Sequence, residues 1–202
     1  RVPAGVKVID YRAFLSSSPL KVPGFHNQLN AAAARAVATH EKLDASTIEQ
    51  SLASFSGTWR RFEYKGELNG APVYDDYAHH PSEIKATIAG ARELYPDKEV
   101  VAVFQPHTFS RTKGLFADFA KAFGEAERAI FLPIYAAREE NDSGVSSREL
   151  AVKALEFCPQ SEFVPTLEAA AEALIETASN QQVILILGAG DVTRVTAQLP
   201  LK

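Results

Sequence analysis

Val100-Val101-Ala102-Val103-Phe104 and Val183-Ile184-Leu185-Ile186-Leu187 are two runs without a single polar side chain. A strand with one wet face alternates apolar and polar residues. A strand apolar throughout is covered on both faces, which is the habit of parallel sheets sandwiched between helices. Working outward from these runs, strands are expected over 99–105, 128–133, 161–164 and 182–187. Helices are expected between and after them, over 82–94, 112–124, 146–156, 167–179 and 191–198. Within 112–124, Phe116, Phe119, Ala120 and Phe123 fall at the i, i+3, i+4, i+7 spacing of one helix face. Upstream, Asn69-Gly70 joins two strand-like stretches, 61–68 and 71–75, into a hairpin. The alternation of strand and helix specifies an α/β class: an open, mostly parallel, Rossmann-like sheet with helices on both faces.

The segment before the hairpin differs in character. Residues 25–41 hold Ala31-Ala32-Ala33-Ala34 and Ala36 without an internal Gly or Pro, a strong helix composition. Residues 46–55 suit a second helix, with Ser46 as cap, Glu49 completing a capping box, and Ile48, Leu52 and Phe55 on one stripe. Val6 to Ile9 could form a short strand. Ser56-Gly57-Thr58 reads as a boundary, dividing a small, mainly helical unit, 1–56, from the α/β unit, 57–202.

Composition excludes several classes. The chain has 202 residues, 46% of them hydrophobic, enough for a substantial core. No stretch approaches the ~18 apolar residues of a membrane span. The charge balance is 21 basic against 25 acidic side chains, −4 overall, which argues against broad binding to nucleic-acid backbones. The one cysteine, Cys158, excludes an internal disulfide and a multi-cysteine zinc site, and the reducing cytoplasm is the expected compartment. Arg1-Val2-Pro3-Ala4-Gly5 lacks the apolar core of a signal peptide. A start at Arg1 and the lack of any methionine are what an excised piece of a longer chain would show. There is no internal repeat or low-complexity tract.

In open α/β sheets ligands bind beyond the carboxyl ends of the strands. Three polar clusters fall there: Asp75-Asp76-Tyr77-Ala78-His79-His80-Pro81, Gln105-Pro106-His107-Thr108-Phe109-Ser110-Arg111-Thr112, and Gly188-Ala189-Gly190-Asp191. A fourth, Gly24-Phe25-His26-Asn27-Gln28-Leu29-Asn30, opens the Ala-rich helix, where free backbone N–H groups gather. Four of the five histidines (26, 79, 80 and 107) lie in these clusters. Each cluster also has a plain reading. Asp75 and Asp76 can end a strand and cap a helix, Arg111 can be a surface charge, and Gly188-Ala189-Gly190 can be no more than a tight turn. The Asp/His run could also hold a divalent metal, though its spacing matches no common ligand motif. A phosphate-binding Gly-x-x-x-x-Gly-Lys-Ser/Thr segment and a Gly-x-Ser-x-Gly nucleophile elbow are both missing.

At these clusters, and from about residue 20 to the end, the sequence resembles the Mur ligases of bacterial cell-wall synthesis. The matching stretches are 24–31, Gly57-Thr58-Trp59-Arg60-Arg61-Phe62-Glu63, 75–84, Phe104-Gln105-Pro106-His107, Ser110-Arg111-Thr112, Tyr135 with Glu139, and 188–191. The resemblance is greatest to the branch that joins L-alanine to UDP-N-acetylmuramate at the expense of ATP, through an acyl phosphate. It implies that 1–56 are the tail of a central ATP-binding domain and 57–202 the whole carboxy-terminal domain. The UDP-sugar domain and phosphate loop would then lie outside this chain, which alone should not ligate. The expected cofactors are ATP and Mg2+, with no direct metal ligand here. The expected partners are L-alanine, UDP-N-acetylmuramate, ATP and the missing domains, with neither nucleic acid nor membrane. By the same resemblance His107, Arg111, Tyr77 and His79 receive the amino acid. His26, Asn27, Asn30, Arg61 and Asp76 meet the nucleotide, and His79 and Asp76 serve catalysis. His80, Glu139, Gly188, Gly190 and Asp191 are further candidates. Some members carry Arg where this chain has Thr108, so Arg111 would bear more of the grip on the amino-acid carboxylate. A sister ligase that adds another amino acid or a recycled peptide, a non-catalytic nucleotide- or partner-binding module, and a metal-dependent hydrolase are the rival readings.

Overall fold

The computed structural model describes residues 3, 5–140 and 144–202; Arg1, Val2 and Ala4 of the amino-terminal run lie outside the described residues. The chain divides into two compact units, Arg1–Gly57 and Thr58–Lys202.

In the first unit, a one-turn 3-10 helix, Tyr11–Phe14, precedes α1 (Phe25–His40) and α2 (Ala45–Ser54). The expected strand at Val6 to Ile9 is absent: this stretch is irregular, and Val6 and Val8 stand exposed. The unit offers no other strand among its described residues, so a lone extended stretch has nothing to pair with. The cap of α2 also differs from expectation. Asp44, not Ser46, accepts from the backbone N–H of Thr47 at 2.9 Å. Glu49 is drawn away from any capping box by the buried Arg35, whose Nε and second guanidinium nitrogen reach it at 2.5 and 3.0 Å. A third bond, from Arg35 to the Phe14 carbonyl at 3.0 Å, ties α1 to the 3-10 turn.

The second unit is a six-stranded sheet. β1 (Glu63–Leu68) and β2 (Ala71–Asp76) form the expected hairpin, with Asn69 and Gly70 both at positive φ. Then follow α3 (Pro81–Leu94), β3 (Glu99–Phe104), α4 (Phe109–Gly114), α5 (Phe116–Lys121), β4 (Arg128–Phe131), α6 (Ser147–Ala154), β5 (Gln160–Phe163), α7 (Leu167–Thr177), β6 (Gln182–Leu187) and the short α8 (Thr193–Thr196). The strand order is β1-β2-β6-β3-β4-β5, and every pair except β1–β2 is parallel. The two wholly apolar runs, β3 and β6, are hydrogen-bonded neighbours at the centre. Their side chains divide between two cores. Val100, Ala102, Phe104, Val183, Leu185 and Leu187 face one, and Val101, Val103, Ile184 and Ile186 the other.

The first core is closed by α3, α5 and α6, the second by α7 and α8. Right-handed crossovers require this division. The chain moves one way across the sheet from β2 to β3, β4 and β5 with helices on one face. It returns to β6 with α7 on the other. Ile84 and Ile88 of α3 are fully buried; each is worth ~1.5–3 kcal/mol. Phe104, Phe119, Phe123 and Phe131 form an aromatic cluster with ring centroids 4.9 to 6.1 Å apart.

The single helix expected over 112–124 is two. It breaks at Leu115, whose φ of −118° is not helical, next to Gly114, a weak helix former. The break lets Arg111 stay at the rim of the sheet while Phe119 and Phe123 turn into the core. The last helix is also shorter than expected, Thr193–Thr196 only. Among the described residues no helix is long and apolar enough to cross a membrane.

Candidate active-site rim

Four loops meet at the carboxyl ends of β2, β6, β3 and β4. Loops leave β2 and β3 for one face of the sheet and β6, between them, for the other. This divergence is the switch point where such sheets bind ligands.

The organiser of the rim is Arg60, which is 3% exposed. Its Nε donates to Asp75 Oδ1 at 2.9 Å, and its two terminal nitrogens donate to the carbonyls of Gly190 and Gly188 at 3.1 and 2.5 Å. Its own carbonyl accepts from the Tyr77 backbone N–H at 2.7 Å. The Gly188-Ala189-Gly190 turn therefore points carbonyls, not N–H groups, at the cation. The two glycines answer a packing demand. A Cβ on Gly188 would meet the Gln105 carbonyl at 2.8 Å, and one on Gly190 would meet Gln105 Oε1 at 2.4 Å and Tyr135 Cγ at 2.7 Å. Gln105 bridges β3 to this turn: its amide nitrogen donates to Asp191 Oδ1 at 2.8 Å and its oxygen accepts from the Val192 N–H at 3.1 Å.

Asp76 is buried, and its two oxygens accept from the backbone N–H groups of Phe62 and Ala78, both at 2.8 Å. It pins the entry to β1 against the loop that carries His79. Pro81 begins α3 as expected. His80 is the cap of that helix: its Nδ1 accepts from the Ser82 N–H at 3.3 Å. Glu83 completes the box, accepting from the backbone N–H groups of His79 and His80 at 3.0 and 3.1 Å.

His79 Nδ1 lies 2.9 Å from the Tyr77 carbonyl and 3.4 Å from Glu83 Oε2. Both partners only accept, so Nδ1 carries the proton and Nε2 keeps a lone pair when the ring is neutral. The ring packs edge-on to Tyr77, centroids 5.4 Å apart, and 6.1 Å from His107. His107 stacks on Tyr135 at 5.6 Å and receives a hydrogen bond on Nδ1 from Arg111 at 3.2 Å. A guanidinium only donates, so His107 Nδ1 is bare and the proton sits on Nε2.

Burial, then the nearby Arg111 cation, holds the His107 imidazole below its ordinary pKa of 6.5. Because the folded value is depressed, the unfolded chain takes up the proton first as pH falls. The expected result is constant stability from His107 above about pH 6.5 and a loss below it. Urea midpoints of the chain measured from pH 7.5 to 5.5 would show this, and His107→Gln would flatten the slope.

Thr108 sits at φ +65°, a conformation that β-branched residues avoid. It is held there from both sides. Its N–H donates to the Tyr135 carbonyl at 2.8 Å, and its carbonyl accepts from the N–H and hydroxyl of Thr112. The twist turns the chain sharply from His107 into α4. Glu139 clamps that helix, accepting from the Ser110 N–H at 2.9 Å and the Ser110 hydroxyl at 2.6 Å; these bonds hold its carboxyl below the usual range. Arg111 has no carboxylate partner among the described residues. Arg61 lies over the outer face of Tyr77 at 5.5 Å.

The structure thus brings together Tyr77, His79, His107, Arg111, Glu139, Gly188, Gly190 and Asp191, with Arg61 and Asp76 at one flank. His26, Asn27 and Asn30 belong to the other unit. There Asn27 donates to the Pro23 carbonyl at 2.7 Å, and Asn30 reaches Asn27 at 3.5 Å. Sequence reasoning gave no role to Arg60, Gln105, Glu83 or Tyr135. Glu83 had a signal, an acid three residues into a Pro-started helix. The others had none, because their partners lie 15 to 130 residues away in sequence. Among the described residues no group of three His, Cys, Asp or Glu side chains could hold a metal. Within the Asp/His run Asp75 answers Arg60, Asp76 the backbone, and the two histidines engage their neighbours through Nδ1.

This sheet, with its rim of Arg, His and Asp on diverging loops, belongs to the Mur ligase family: the profile of the Mur ligase, glutamate ligase domain matches residues 60–190. Among similar proteins is a UDP-N-acetylmuramate–L-alanine ligase of Caldicellulosiruptor bescii, 44% identical over 89% of this chain and 39% of that protein. One from Acidithiobacillus ferrooxidans is 43% identical over 90% of the chain and 39% of its own length. The chain therefore spans about two fifths of the relatives it matches. A solved UDP-N-acetylmuramate–alanine ligase from Thermotoga maritima superposes with a TM-score of 0.74 at 30% identity, over 89% of this chain and 38% of that one. A Mycobacterium tuberculosis folylpolyglutamate synthase complexed with ADP shares the fold, with a TM-score of 0.62 at 19% identity.

Proposed function

We propose that this chain is the carboxy-terminal part of a bacterial, cytoplasmic, ATP-dependent ligase that joins L-alanine to UDP-N-acetylmuramate. Residues 1–56 are then the end of a central ATP-binding domain and 57–202 the domain that delivers the amino acid. The observation that carries the reading is the half-buried Arg111 guanidinium, free of any acid among the described residues and hydrogen-bonded to a neutral His107. A cation left without its counter-ion on a ligand-binding rim suits a carboxylate, which it can grip with two parallel N–H bonds.

The residues divide the work. Arg111 and the Nε2–H of His107 hold the carboxylate. His79 Nε2 offers its lone pair to the ammonium, so that the amine can be presented deprotonated. Tyr77 and Tyr135 wall the site and limit water. Fixing the amine in attack geometry replaces a bimolecular encounter and supplies much of the gain in rate. Asp76 and Arg60 are positioning residues that set the loop carrying Tyr77 and His79.

ATP activates the sugar's carboxylate as an acyl phosphate. The groups here that suit the nucleotide are the Asn27 and Asn30 amides, which donate and accept as adenine does, with His26 beside them, and the Arg61 cation. Mg2+ would find its ligands mainly outside this chain.

The test is Arg111→Ala in the intact ligase. The KM for L-alanine should rise at least about tenfold, the worth of one charge-assisted pair, with the KM for ATP nearly unchanged. An unchanged KM for L-alanine sinks the assignment. Parallel assays with glycine, L-serine and tripeptide separate this reading from that of a sister ligase.

A further inference from the structure

The capping box at the start of α3 does more than close the helix. In such a box the acid three residues in accepts from the backbone N–H of the cap residue. Glu83 does this for His80 at 3.1 Å, and the same oxygen, Oε2, reaches one residue further back to the N–H of His79 at 3.0 Å. It also lies 3.4 Å from His79 Nδ1. One carboxylate oxygen therefore faces both the main chain and the ring of the histidine whose Nε2 meets the amine in the proposed ligation.

The chain carries a second box that shows what capping alone requires. At the start of α6, Glu149 accepts from the Ser146 N–H at 3.2 Å and from its hydroxyl at 3.0 Å, and the Glu149 N–H donates to that hydroxyl at 3.2 Å. The residue before that cap is Val145, which has no polar side chain to hold. In α3 the corresponding residue is His79. The helix behind it is a firm anchor: Pro81 sets its first turn, and Ile84 and Ile88 are fully buried. Without Glu83 the ring, 24% exposed, would keep one hydrogen bond, from Nδ1–H to the Tyr77 carbonyl at 2.9 Å, and its edge contacts with Tyr77 and His107. One bond to a loop carbonyl leaves a ring free to turn about it.

We propose that Glu83 is a positioning residue for the ligation: it ties His79 to the start of α3 so that Nε2, and not Nδ1, faces the amine of the incoming amino acid. The inference rests on the proposed role of His79. A group that serves attack geometry has little tolerance, since a misplacement of about 1 Å can cost ~10²-fold in rate. Glu83 itself touches no substrate, and its work is done through the histidine.

Glu83→Ala in the intact ligase should lower kcat at least about tenfold, with the KM for L-alanine nearly unchanged, because Arg111 and His107 keep their grip. Glu83→Gln should recover most of the rate, since its carboxamide oxygen can accept from the same two N–H groups. Glu83→Asp keeps an acid at the helix start but falls one methylene short of His79. It should resemble the alanine variant, and it carries the test if Glu83→Ala does not fold. Glu149→Ala measures capping alone: it should lower the thermal midpoint as Glu83→Ala does, with kcat as in the parent. In the 202-residue chain without substrate, long-range 1H–15N correlation spectra should show His79 as one tautomer, protonated on Nδ1, in the parent and in Glu83→Gln. In Glu83→Ala they should show a mixture. An unchanged tautomer in Glu83→Ala would overturn the inference. A changed tautomer with unchanged kcat would sink the proposed role of His79, and the inference with it. A glutamine variant as slow as the alanine one, or an equal fall in kcat from Glu149→Ala, would also overturn it. The tautomer is read without substrate, so it can fail while the Arg111→Ala result stands, and the reverse.

Discussion

Arg60→Met should destabilise the second unit by ~3–5 kcal/mol, the cost of removing one partner from a buried ion pair. The magnitude follows from what is stranded. Asp75 is fully buried, and its Oδ2 has no partner, so Arg60 is the only cation it meets among the described residues. The carbonyls of Gly188 and Gly190 lose their donors in the same step. Lysine cannot substitute, because a single ammonium cannot span an acid and two carbonyls set by a planar fork. Urea unfolding of the chain measures the loss. Adding Asp75→Asn to Arg60→Met should recover part of it, since the orphaned charge disappears while the orphaned carbonyls remain. A double variant no better than the single would show that the carbonyl contacts, not the buried charge, dominate.

Gly190→Ala should cost ~1–3 kcal/mol, the range for overpacking a tight interior, and should also disturb the rim where His107 stacks on Tyr135. The added methyl would lie 2.4 Å from Gln105 Oε1 and 2.7 Å from Tyr135 Cγ. Relief requires moving either the amide that ties β3 to Asp191 and Val192 or the ring on which His107 stacks. Gly114→Ala is the control: its Cβ would meet nothing within 4 Å, so no comparable clash is expected. A thermal midpoint for Gly190→Ala equal to the parent's would mean that this corner yields more readily than its contacts imply. On the proposed function, the KM of the intact ligase for L-alanine should rise with the shift of His107 even where the fold survives.

The two cases show how unevenly the molecule can be read from its residues. The apolar runs at 100–104 and 183–187 are legible because burial on both faces leaves no room for polar residues. Nothing local says that they are neighbours. The adjacency follows from the return crossover through α7, a choice of topology. The histidines at 79 and 107 stand out because imidazoles are scarce and sit at strand ends. The doubled arginine at 60 and 61 looks uniform, yet one side chain is locked inside and the other lies out on Tyr77. Backbone twist decides that: Arg60 and Phe62 both take positive φ, so the inside–outside alternation of a strand does not extend back to them. The Gly188-Ala189-Gly190 turn resembles a phosphate loop in composition. The inward direction of its carbonyls is a tertiary feature, set by Arg60 from 128 residues away in sequence.

Local chemistry by itself therefore determined the α/β class, the hairpin turn, the helix entry at Pro81 and the set of loops that could react, since each depends on neighbours within about one turn or one strand. Strand order, the split of α4 from α5, the tautomers of His79 and His107 and the counter-ion of Asp75 were decided only by tertiary structure. Each of these is a contest between distant groups for the same few hydrogen bonds and the same buried volume, and no residue settles such a contest alone.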